Sequence, residues 1–83
     1  MNNLIGQTLP NSAKVIAHHG DIVLAWFRDS ELVTWSIDED QNAHWGSYHG
    51  TNVPAALRRY SERTGGADLT TESMDIIEME VMQ

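Results

Sequence analysis

The stretch Glu31-Leu-Val-Thr-Trp-Ser-Ile-Asp-Glu-Asp-Gln-Asn-Ala-His-Trp-Gly-Ser-Tyr48 decides the fold. From 31 to 38 the residues alternate, with Val33, Trp35 and Ile37 on one side and Leu32, Thr34 and Ser36 on the other, the two-residue period of a half-buried strand. The polar run Asp38 to Asn42 supplies turn chemistry, and Ala43-His-Trp-Gly-Ser-Tyr-His49 returns as the next strand. Trp45 and Tyr48 lie three residues apart, so strict alternation sends them to opposite faces. A β-bulge at Gly46, bringing both rings to one side, is therefore predicted.

Upstream, Ala13-Lys-Val-Ile-Ala-His18 and Asp21-Ile-Val-Leu-Ala-Trp-Phe-Arg28 read as two further antiparallel strands. They meet across His19-Gly20, where glycine can take the positive φ of a tight turn. Asp29-Ser30 then turns the chain into the strand from 31. Downstream, Asn52 caps and Pro54 opens an amphipathic helix that Gly65-Gly66 ends. Its stripe of Val53, Ala56, Leu57 and Tyr60 is expected to lie across Trp35 and Trp45, opposite Arg58, Arg59, Glu62 and Arg63. The expected fold is α+β: an antiparallel four-stranded meander with one amphipathic helix packed on one face. The strand from Ile22 to Arg28 is apolar on both faces, so the second face needs its own cover. The candidates are the segment around Leu4, Ile5 and Leu9, the C-terminal tail, or a second copy in a homodimer.

The 83 residues carry a net charge of −7, and the acid is segregated. Residues 67–83 hold Asp68, Glu72, Asp75, Glu78 and Glu80 with no Lys or Arg, so the chain divides into a small domain over 1–66 and an acidic segment over 67–83. In that segment Ile77, Met79 and Val81 alternate with Glu78 and Glu80, which favours a strand over 75–82; Met74, Ile77 and Val81 also fit a helical face. The acidic balance works against direct contact with nucleic acid, because each phosphate contact draws on a cation. Without cysteine there is no disulfide framework and no thiolate metal site, and a reducing cytoplasm is expected. The longest apolar run, Ile22 to Phe27, is far short of the ~20 residues of a membrane span, and the N-terminus lacks the regions of a signal peptide.

The order Val33-Thr-Trp35, Asp38 to Asn42, Trp45-Gly-Ser-Tyr48 and a helix ending Arg58-Arg-Tyr-Ser-Glu-Arg63 resembles short uncharacterised proteins of bacterial and phage genomes. In those, a β-hairpin with a Trp-Gly-x-Tyr-like element leads into a helix. The resemblance covers roughly residues 15–64 and implies an α+β meander and a mobile-element origin. It carries over no activity and no catalytic or binding residue, and the acidic tail departs from the pattern.

Few constellations here suit chemistry. Asp38-x-Asp40-x-Asn42 has the opening spacing of a calcium loop, but the sixth position is Ala43 rather than glycine and the twelfth is His49 rather than glutamate. Of the histidines, His18 and His19 are adjacent and His44 and His49 are five apart, and on a strand neither pair shares a face. Ser47 and His49 do share one, yet Gly46-Ser-Tyr-His-Gly50 is not a nucleophile elbow. Neither a catalytic residue nor a cofactor is expected. Trp26, Trp35 and Trp45 fall on three successive strands, where core packing is the default; Trp26, on the doubly apolar strand, is the one expected at an interface. The expected function is non-enzymatic binding of a protein partner through Trp26, Asp68, Glu72, Asp75, Glu78 and Glu80. Its sharper form is an inhibitor whose carboxylates occupy the basic groove of a host nucleic-acid-binding system. The alternative is a small-molecule or metal-binding module built on the histidines and the Asp38 to Asn42 turn.

Overall fold

The computed structural model describes residues 4–27 and 31–82. Strands β1 (Lys14–His19), β2 (Ile22–Phe27), β3 (Glu31–Ile37) and β4 (Ala43–Tyr48) form an antiparallel sheet in chain order. Helices α1 (Val53–Thr64) and α2 (Thr71–Ile76) pack on it, giving an α+β fold. The β1–β2 turn falls where the glycine predicts, with Gly20 at φ 61°. The Asp29-Ser30 turn and the end of the second strand at Arg28 lie outside the described residues. The boundaries of α1 follow from its caps: the Asn52 side chain accepts from Ala55 N at 3.1 Å, and Gly65 closes the last turn.

β2 is sandwiched between two cores. On one face Ile22, Leu24 and Trp26 pack with Ile16, Leu32, Tyr60 and Ile77; on the other Val23 and Ala25 pack with Leu4, Leu9, Val15 and Trp35. A register shift between Val15 and Ala17 lets the sequence neighbours Ile16 and Ala17 join the same core. The N-terminal segment thus covers one face, and the tail joins α1 on the other.

Three expectations are corrected. The stripe of α1 lies on the face of Leu24 and Trp26, away from Trp35. Alternation sorts β3 into two sides without saying which the helix takes, and Trp35 stands opposite Val23, on the side that Leu4 and Leu9 fill. Trp26 is 6% exposed and belongs to the core rather than to an accessible surface. The tail is helical: α2 continues as a π-helical turn, Ile77–Val81, where a strand over 75–82 was expected. A strand would bury Met79 with Ile77 and Val81, but Met79 is exposed, while Ser73, Ile77 and Val81 recur every fourth residue on the inner stripe. The Thr70 side chain starts this helix by accepting from Ser73 N at 3.1 Å.

Candidate functional site

The two edges of the sheet are finished differently. Along β1, Gly6 N donates to Val15 O and Val15 N donates to Gln7 O, both at 2.8 Å, and an isolated bridge joins Thr8 to Lys14, so residues 6–8 cover this edge. Among the described residues no strand pairs with the outer edge of β4. There Trp45 and Gly46 together oppose Trp35, a bulge at the position predicted for it. Gly46 is required by a close approach: a Cβ there would lie 2.5 Å from Trp35 Nε1. Trp45 takes φ 52°, a left-handed conformation that bulky residues rarely adopt.

The bulge leaves the two rings in different company. Tyr48 stands edge-on to Trp35, with centroids 6.3 Å apart, and Trp35 in turn meets the edge of Phe27 at 5.6 Å. Trp45 lies beside His44 at 5.9 Å and is 80% exposed; Tyr48 is 60% exposed.

Behind this edge α1 supplies positive charge. Arg63 Nη1 donates to Thr34 O at 2.9 Å, Arg59 Nε donates to Ser47 Oγ at 3.3 Å, and His49 Nε2 stands 3.4 Å from Thr34 Oγ1. Burial, and then the charge of Arg59, lower the His49 pKa, so its imidazole favours the neutral form. Burial and the same neighbour lower that of Arg63, with Asp21 acting in the opposite sense. Glu62 sits 3.6 Å from Arg59; Arg63 makes no ion pair among the described residues. Ser47 and His49, the pair considered as nucleophile and base, are each engaged elsewhere.

The other sequence candidates are dispersed. Asp38 Oδ1 accepts from Asp40 N and Asn42 N, both at 2.9 Å, and its Oδ2 lies 3.0 Å from His44 Nε2. The bond to His44, followed by the backbone bonds, lowers the Asp38 pKa, which is how a hairpin turn uses such a residue. His18 Nδ1 accepts from Leu4 N at 3.3 Å, leaving Nε2 to donate to Gly20 O at 2.8 Å. A depression of about 870 Å³ between these turns is lined in part by His18, Asp21, Ile37 and Asp38. Two of its polar groups, His18 and Asp38, already serve their own chain. Among the described residues no group of three or more His, Asp or Glu could hold a metal ion, and no helix is long and apolar enough to cross a membrane.

Of the acidic residues, Glu80 pairs with Lys14 of β1 and is thereby tied to the fold. Asp68, Glu72, Asp75 and Glu78 are exposed and make no ion pair among the described residues, and Met74, Met79 and Met82 are exposed beside them. Sequence reasoning missed Trp45 and Tyr48 as surface residues; it set Arg59 on the outer side of the helix without giving it a role. The bulge it predicted was the available signal, because a bulge on an edge strand re-aims side chains. No family model, curated protein or solved structure matches this chain.

Proposed function

We propose that this protein is a non-catalytic protein-binding module that engages an acidic partner segment along its β4 edge. The observation that carries the reading is Trp45, 80% exposed on a left-handed backbone at an edge strand. Exposed tryptophan is the side chain that most often dominates binding energy when a partner desolvates it. Arg59, with Arg63 behind it, adds positive charge on an otherwise acidic protein, which selects for carboxylates. The bulge interrupts the ladder, so side chains rather than an added strand make the contact.

A second reading rests on the exposure of Glu72, Asp75 and Glu78 along one helical segment. In it these carboxylates occupy the basic groove of a host nucleic-acid-binding protein, as an inhibitor borne by a mobile element would. Affinity capture from host lysate separates the two. A partner held by the wild-type chain and lost with Trp45→Ala supports the β4 reading. Loss only with Glu72→Lys/Asp75→Lys/Glu78→Lys favours the second, and undiminished capture by all variants sinks both.

A further inference from the structure

The acidic partner segment of the proposed function has a match within the molecule itself. Between the N-terminal segment and α2 lies a depression of about 460 Å³, with Ile76 and Met79 as its apolar part and Glu72, Asp75 and the Lys14–Glu80 ion pair as its charged part. That volume falls within the ~300–1,000 Å³ of clefts that take a small ligand, and its apolar part and free carboxylates complement Trp45 and Arg59. An indole fits an apolar floor that includes a thioether, since sulfur–aromatic contacts are favourable. The carboxylates Glu72 and Asp75 have no ion-pair partner among the described residues, and the β4 side offers Arg59, which reaches Ser47.

The two surfaces cannot meet within one chain. Glu80 ties the tail to Lys14 of β1, and Arg59 reaches Ser47 of β4. In the order β1-β2-β3-β4 those strands are three spacings apart, about 14 Å at ~4.8 Å per strand. They can meet only between copies.

We propose that the occupant of the β4 edge is a second copy of this chain, joined head to tail. Trp45 of one copy seats in the depression between the N-terminal segment and α2 of the next, and Arg59 faces its Glu72 and Asp75. This rests on the β4 reading above and names the partner. Such a contact is heterologous, so it propagates into a ring or an open chain rather than stopping at a two-fold dimer. The net charge of −7 opposes association of copies, but at about 0.15 M salt charges are screened beyond ~8 Å, and the facing patches dominate.

The test is analytical ultracentrifugation of the purified chain over a wide concentration range. The wild-type mass should climb above the monomer's 9.3 kDa with concentration. Trp45→Gly/Arg59→Ala and Glu72→Lys/Asp75→Lys, each folded by circular dichroism, should each stay monomeric. Mixed in equal amounts, they should form a one-to-one dimer that grows no further, because each supplies the surface the other lacks. Trp45→Gly should also stay monomeric alone. A wild-type chain that remains monomeric at millimolar concentration, or variants that do not combine when mixed, would overturn the proposal. Lysate capture that still depends on Trp45 would then leave the β4 reading standing with a different partner.

Discussion

The β1 edge and the β4 edge bound the same sheet, yet one is closed and the other presented. At β1 the chain spends residues 6–8 on pairing, lays α2 alongside and ties Glu80 to Lys14. At β4 it places a bulge, a left-handed Trp45 and a half-exposed Tyr48. An unpaired edge invites indiscriminate strand addition, and a bulge is one way to discourage it while leaving side chains accessible. The contrast teaches that exposure at β4 is a built feature with its own backbone geometry, and that the acidic tail belongs to the folding side of the molecule as much as to its surface.

The largest expected effect sharpens the contrast among the tryptophans. Trp26→Ala removes a ring from the core shared by β2, α1 and Ile77, and should cost about 3–5 kcal/mol in chemical denaturation. A loss under about 1 kcal/mol would mean that Trp26 is not packed as described. Next comes Gly46→Ala, which drives a methyl into Trp35 and should cost about 1–3 kcal/mol by the same assay. An unchanged midpoint would show that the bulge yields freely.

A smaller effect concerns pH. Folding lowers the His49 pKa below the ordinary 6.5, chiefly by burial. The unfolded chain therefore binds a proton that the folded chain resists, so this contribution to stability is present above about pH 6.5 and is lost as pH falls toward the folded value. The midpoint of His49→Gln should fall less than that of the wild type between neutral and mildly acid pH. Parallel profiles would remove His49 from the account. Smaller still is Lys14→Ala: its pair with Glu80 is partly exposed, and thermal denaturation should register less than about 1 kcal/mol. A larger loss would mean that this pair, rather than Ile77, holds the tail in place.

Local signals made much of this fold legible. Gly20, the Asn52 cap, Pro54 and the period of β3 act over a few residues, and the elements they mark are where expected. Choices made across the molecule were not legible. Which side of the sheet α1 takes depends on how the N-terminal segment fills the Trp35 side, and two short apolar residues, Leu4 and Leu9, carry that information. The tail offered two periods at once, and the helical one prevailed because Thr70 caps it and Ile77 reaches the core already formed around Leu24. At the candidate site the bulge was foreseen, but its consequence for Trp45 was not. Hydrophobicity alone assigns a tryptophan to the core, and only the left-handed backbone places it in solvent.

The most direct test of a β4 edge built for contact rather than for stability is the unfolding free energy of Trp45→Gly. Releasing the left-handed backbone should return about 1–2 kcal/mol, against about 0.5–1 kcal/mol of glycine's backbone entropy. A stability equal to or slightly above that of the wild type is therefore predicted. A loss of about 2 kcal/mol or more, of the size that core truncations produce, would contradict the account by making Trp45 a structural residue.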